Sequence, residues 1–197
     1  MKETLNKFYI HQACHFREHH RRLVSFGDMI VDRWEKARLL GFGEGSSIYD
    51  NALVLGDVTV GECTWIGPGT VLDGSGGSLK IGSWCSISAG VQIYSHNSIK
   101  WAVTMGQAGY DKSAVSIGSG VYIGPNTVIS SGVTIGDRVI VGAQSLVNHD
   151  LPALTVAWGQ PARVVGRIEM NEDGTDFNIA YYSAETTLSS SADGNGR

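Results

Sequence analysis

Aliphatic residues recur every six positions along most of this chain, and no other feature restricts its fold as strongly. Val54, Val60, Ile66 and Leu72 make one run, and Ile81, Ile87 and Ile93 a second. Ile117, Ile123, Ile129, Ile135, Val141 and Val147 make the longest. Two residues ahead of each stands a small or aliphatic residue: Ala52, Val58, Thr64 and Thr70, then Leu79, Cys85 and Val91. The last series is Val115, Val121, Thr127, Val133, Val139 and Ser145. A helix face recurs near 3.6 residues, so a period of six excludes an amphipathic helix. In a strand, positions two apart face the same side, which fits the paired residues. The rest of each hexad must turn a corner. Gly often follows directly, as at Gly61, Gly67, Gly82, Gly118, Gly124, Gly136 and Gly142, and suits such a corner. Three hexads would close one circuit of a prism-shaped solenoid, and stacked circuits bury the aliphatic residues along its axis.

Composition agrees. There are 26 Gly among 197 residues but only 4 Pro, which rules out a collagen-like or Pro/Gly low-complexity chain. Val (18) and Ile (15) outnumber Leu (12), which favours strands over a helical bundle. The net charge of −4 argues against a broad nucleic-acid surface. No apolar run approaches the ~18–20 residues of a membrane span, and no signal segment opens the chain. Cys14, Cys63 and Cys85 have no paired spacing. They suggest a reducing compartment, and a cytoplasmic location is expected.

The repeat is interrupted twice. Leu72 to Ile81 carries three extra residues, within Asp73-Gly74-Ser75-Gly76-Gly77. Ile93 to Ile117 carries eighteen, which equals one more circuit. Ile99, Val103 and Met105 partly fit the repeat but Asp111 does not, so a protruding loop over 94–114 is the preferred reading. Solenoid insertions often form the binding face.

Three segments follow: a helical segment over 1–47, the solenoid over 48–168, and an acidic tail over 169–197. Leu23, Phe26, Ile30, Trp34 and Ala37 recur at three or four residues and predict a helix ending near Gly41-Phe42-Gly43. It would cap the solenoid or pack on a neighbouring subunit. The three segments carry charges of +2, −1 and −5. The last includes Ser189 to Arg197, read as a mobile tail.

Two tracts narrow the family. Val141-Gly142-Ala143-Gln144-Ser145-Leu146-Val147 is followed by Val156-Ala157-Trp158-Gly159-Gln160-Pro161-Ala162-Arg163-Val164-Val165. This layout resembles the ending of hexapeptide-repeat acyltransferases. Trp65 to Gly74, with Ile93-Tyr94-Ser95-His96-Asn97, looks most like the sugar acetyltransferases of surface-polysaccharide biosynthesis. The resemblance covers about residues 48–168. It implies an all-β fold, a left-handed parallel β-helix, with the N-terminal helix and protruding loop outside it. The galactoside and maltose members carry an Asn in the strand before the Leu72-Asp73 position. Here Ile66, Gly67 and Pro68 stand there, which weakens a simple-sugar assignment.

Acyl transfer from a thioester needs a base for the acceptor's proton and donors for the oxyanion. Imidazole suits the first task. Only His96 and His149 lie in the solenoid, and the family's base is a His at the root of the protruding loop, which His96 matches. His149 reads as a surface residue. Asp73 is a candidate orienter of His96, an acceptor-binding carboxylate, or simply a corner Asp. Asn97 and Trp101 are further candidates for the acceptor; Trp101 reads equally as a packing anchor. The resemblance implies acetyl-CoA as co-substrate, lying between two solenoids of a homotrimer with intersubunit sites. Pantetheine would pair with backbone at Gly124, Ala143 and Ala157, and Arg163 and Arg167 would meet the CoA phosphates. The acceptor would be a saccharide hydroxyl; N-acetylation of an amino nucleotide-sugar is the alternative. No metal is expected: the γ-carbonic anhydrases share the fold but need three zinc-bound His. A non-catalytic hexapeptide scaffold should lack both the loop-root His and the Pro161-Ala162-Arg163 ending.

Overall fold

A computed structural model describes residues 1–183. Its body is a stack of short parallel strands in three ladders. In the first, Ile48, Ile66, Ile87, Ile123, Val141 and Ala157 pair in succession. In the second, Val54, Leu72, Ile93, Ile129 and Val147 do so. In the third, Val60, Ile81, Ile117 and Ile135 align, and Leu151 bridges Ile135. The chain visits the three ladders in turn, so each hexad of the sequence supplies one strand and one corner.

The paired positions both point inward. The ladder residues from Ile66 to Val147 are buried, and so are Thr64, Thr70, Cys85, Val91, Val121, Thr127, Val139 and Ser145 two places before their own partners. Polar members of this set are held by backbone. Thr64 donates to the Gly82 carbonyl at 3.0 Å and Thr127 to that of Gly142 at 3.0 Å. Among the described residues no buried side-chain polar atom lacks a partner, which keeps their desolvation cost low. Burial also pushes the Cys85 thiol above its usual range.

The two interruptions behave differently. The strand Val71–Ile81 runs through a corner and pairs with Leu53–Val60. Gly56 is opposite Gly74 and Val58 opposite Leu79, so Asp57 alone faces residues 75–78. The three extra residues thus form a bulge. The longer insertion leaves the coil as His96–Asn97, returns as Asp111–Lys112 antiparallel to it, and carries a short helix, Ile99–Val103, between them. The ladders close beneath it, with Ile87 paired directly to Ile123.

The N-terminal segment is not one helix through Leu23 to Ala37. It contains α1 (Lys2–His20), α2 (Phe26–Ile30) and α3 (Arg33–Leu39). Capping side chains set the breaks: Ser25 accepts from the Asp28 amide, and Asp32 from those of Trp34 and Glu35. Val31 between them is extended. Of the residues read as one apolar face, only Ala37 is buried; Leu23, Phe26, Ile30 and Trp34 are exposed. Ala37 and Phe42 join the solenoid core. Lys36 donates to the carbonyls of Tyr49, Asp50 and Ala52, so α3 plugs the first circuit.

Residues from 169 onward are not all tail. Ala162–Met170 and Phe177–Tyr181 form an antiparallel hairpin beyond the last parallel strand, Thr155–Gly159. Backbone pairing and a built turn outweigh the acidic composition. Asp173 accepts from the Thr175 hydroxyl at 2.6 Å and amide at 3.0 Å, bonds that hold its carboxyl below the usual range. The Ser189 to Arg197 stretch lies outside the described residues. Among the described residues no helix is long and apolar enough to cross a membrane.

Candidate active site

The two interruptions meet at one corner, where the second ladder turns into the third. Asp73 pairs with Tyr94 of the next circuit at the end of the second ladder. Its backbone carbonyl accepts from the Ser95 amide at 3.0 Å. This pairing sets His96, at the root of the protruding loop, directly over the bulge.

Asp73 Oδ2 lies 2.9 Å from His96 Nδ1; the Asp73 side chain is 3% exposed and that of His96 29%. The other carboxylate oxygen accepts from the Ser75 amide at 2.9 Å and the Ser75 hydroxyl at 2.6 Å. A carboxylate can only accept, so His96 carries a proton on Nδ1. In the neutral imidazole Nε2 then holds the lone pair. That is the tautomer a base needs, oriented by a buried carboxylate.

Aromatic rings continue from His96 into the loop. Tyr110 stacks on the imidazole with centroids 5.9 Å apart and planes within 7°. Trp101 meets Tyr110 edge-on at 6.0 Å. Lys100 and Asp111, at 2.7 Å, tie the loop helix to the returning strand. Asn97 Oδ1 accepts from the Ile99 amide, the first of the loop helix, at 3.1 Å. His96, Asp73 and Trp101 therefore share one neighbourhood, and Asn97 borders it. Ser75 and Tyr110 were missed by sequence reasoning. The only signal for Ser75 was its place two residues after Asp73 inside the short interruption.

The residues assigned to CoA lie elsewhere. Gly124 and Ala143 occupy adjacent circuits at the corner between the first and second ladders. Gly124 is packed so closely that a Cβ there would stand 2.5 Å from the Ala143 amide nitrogen. Its own N–H donates to the Val141 carbonyl, and the Ala157 carbonyl accepts from Gly142. Those two groups already serve the coil, whereas Ala143 is exposed. Arg163 and Arg167 are exposed on Ala162–Met170, and Arg163 turns back to the Ala162 carbonyl at 2.9 Å. His149 is exposed, 3.1 Å from Asn148 Oδ1. Among the described residues no three His, Cys, Asp or Glu side chains gather as metal ligands.

The family model described as bacterial transferase hexapeptide (six repeats) matches residues 114–149. Comparison with curated proteins returns no match. Among solved structures, the chain is similar to a maltose O-acetyltransferase from Clostridium difficile, with 27% identity and a TM-score of 0.52, covering 82% of this chain and 89% of that one. It is also similar to the hexapeptide-repeat acetyltransferase VCA0836 of Vibrio cholerae, solved with acetyl coenzyme A, with 26% identity and a TM-score of 0.51 over 78% and 83% of the two chains. AntD, an N-acyltransferase from Bacillus cereus solved with dTDP and 3-hydroxybutyryl-CoA, gives a TM-score of 0.55 at 22% identity over 76% and 77%. At that identity the likeness to AntD is one of fold.

Proposed function

We propose that this hexapeptide-repeat protein is an acetyl-CoA-dependent acetyltransferase that acetylates a saccharide hydroxyl, with His96 as general base. The observation that carries the reading is the Asp73–His96 pair at the root of the loop. The similarity to acetyltransferases from Clostridium difficile and Vibrio cholerae supports the reaction class.

His96 Nε2 takes the proton of the acceptor hydroxyl as its oxygen attacks the thioester carbonyl. The tetrahedral intermediate collapses, the C–S bond breaks, and the imidazolium returns its proton to the departing CoA sulfur. Asp73 holds the imidazole and stabilises its protonated form, as carboxylates do in such pairs. No acyl-enzyme is needed. The same base would serve an amine, so O- and N-transfer are separated by the acceptor.

The donor site draws on two chains. Ala143, with Gly124, Ala157, Arg163 and Arg167, lies away from the corner that carries His96. In a homotrimer, the first corner of one subunit would face the loop corner of its neighbour, with acetyl-CoA between them. Asp73 serves as orienter in this reading, which leaves Trp101 and Asn97 as the acceptor-side candidates. The coil winds left-handed, as its resemblance to this family implies. A cytoplasmic setting, where acetyl-CoA is made, fits the three free cysteines.

The test is thiol release from acetyl-CoA across a panel of saccharides and amino nucleotide-sugars. Acceptor-dependent release, with an acetyl ester in the product, is expected. A protein that neither gains thermal stability at millimolar CoA nor releases thiol with any acceptor would overturn the reading.

A further inference from the structure

We propose that Ser75 is a positioning residue for the base, and that the three-residue bulge exists to seat it beneath His96. The inference rests on His96 being the base.

The bulge is built around the Asp73 carboxylate. Ser75 donates both its amide and its hydroxyl to one carboxylate oxygen, which leaves the other aimed at His96 Nδ1. Asp73 is buried, and both hydrogen bonds to its Oδ1 come from Ser75. Without the hydroxyl, the carboxylate keeps a single donor on that oxygen and is freer to rotate. The Ser75 oxygen also stands 3.4 Å from His96 Nδ1, at the edge of hydrogen-bond reach.

The surrounding glycines make room for this arrangement. A Cβ on Gly76 would overlap the Cβ of His96 and stand 2.6 Å from the Ser95 carbonyl oxygen. A Cβ on Gly56 would lie 2.5 Å from the Ser75 amide nitrogen, and one on Gly74 would overlap the Asp57 carbonyl. The Gly76 amide is fixed by Ser95 Oγ at 2.9 Å. The glycines on either side of Ser75, and Gly56 across from it, thus have no room for a side chain. A bulge serving only as a corner would need no such closeness to the loop root, because the other corners turn without extra residues.

Ser75→Ala should lower kcat by about 10- to 100-fold, the scale for removing an orienting partner of a functional His. The KM for acetyl-CoA should stay put. Ser75→Thr keeps the hydroxyl and, with Ser75 exposed, its methyl can face solvent; it should restore kcat. If Ser75→Ala fails to fold, Ser75→Cys, a weaker donor of similar size, carries the same test. Wild-type kcat in Ser75→Ala, while His96→Ala is inactive, would overturn the Ser75 role alone. Wild-type turnover in His96→Ala would overturn the base and this inference together. A drop in kcat that Ser75→Thr leaves uncorrected, or one matched by an equal rise in the KM for acetyl-CoA, would reduce Ser75 to a structural part.

Discussion

The Asp73 carboxylate and the His96 imidazole come from neighbouring circuits of the coil, yet their polar atoms stand 2.9 Å apart. Each sits where the six-residue repeat is broken. The contact arises because strand pairing of Asp73 with Tyr94 superimposes the two interruptions.

Asp73→Asn tests that contact with little change in volume. The Ser75 amide and hydroxyl both donate to one carboxylate oxygen, so an asparagine would place its carbonyl there. Its NH2 group would then face His96 Nδ1 and donate to it. That locks the proton on Nε2, the wrong tautomer for a base. Turnover should fall by roughly 10²–10⁴ while the melting temperature changes little. Steady-state kinetics with acetyl-CoA would check this, and near-native turnover would separate Asp73 from catalysis.

His96→Ala and His149→Ala form a matched pair. Loss of a general base costs about 10²–10⁴ in rate, and His96→Ala should show it with acetyl-CoA binding intact. His149 is exposed and its ring nitrogen lies 3.1 Å from Asn148 Oδ1, so His149→Ala should be close to wild type. The wild-type rate should fall as pH is lowered, because a protonated Nε2 cannot accept the acceptor's proton. The reverse ranking of the two variants would put the base at the wrong histidine.

Much of the body was legible because its determinants are local and periodic. A constant six-residue step fixes which side chains share the axis, and Ile66, Ile87, Ile123 and Val141 pair in that order. The helices were harder to read. Three- and four-residue spacing from Leu23 to Ala37 suggests a continuous face, but the caps at Ser25 and Asp32 divide it. The C-terminal hairpin was hidden by charge, although Phe177-Asn178-Ile179-Ala180-Tyr181 alternates like a strand. At the site, Asp73 and His96 were visible because they stand at breaks in the repeat. Tyr110 was not, since its stacking on His96 depends on how the long loop folds back, and Ser75 was not, since its bonds to Asp73 depend on how the bulge turns the chain.

Thiol accessibility should divide the cysteines. Cys14 and Cys63 are exposed, whereas Cys85 is buried and its thiol is held above the usual range chiefly by that burial. Reactivity follows the exposed thiolate fraction. Labelling of the native protein near neutral pH should modify Cys14 and Cys63 quickly, and Cys85 only after denaturation. Mass spectrometry of labelled peptides would check this. Rapid native labelling of Cys85 would contradict its place on the core side of the first ladder.

The donor site makes a separable prediction. Arg163 and Arg167 lie four residues apart on one strand, with exposed side chains and no carboxylate partner among the described ion pairs. If they meet the CoA phosphates, Arg163→Ala or Arg167→Ala should weaken CoA more than an analogue lacking the 3′-phosphate. Calorimetric titration of both ligands would measure the difference. Equal losses would remove the 3′-phosphate role from the arginine tested.

Ile123 tests the axis of the solenoid itself. It pairs with Ile87 on one side and Val141 on the other, and it is fully buried. Ile123→Asp would place a carboxylate between circuits, where the nearest side chains are aliphatic and the backbone groups are already paired. The charge would have no partner, and the lost methyl groups would leave a gap. A cost of at least about 3–5 kcal/mol is expected, on the scale of uncompensated buried charge, and it should grow as pH rises and the carboxyl ionises. Ile135→Asp, on the third ladder, should behave alike, because Ile135 is equally enclosed between Ile117 and Leu151. Asp in place of exposed Tyr122, immediately beside Ile123, should be tolerated within about 1 kcal/mol, as surface substitutions usually are. Chemical denaturation of the three variants would rank them. An Ile123→Asp protein as stable as Tyr122→Asp would contradict the inward alternation on which the whole coil depends.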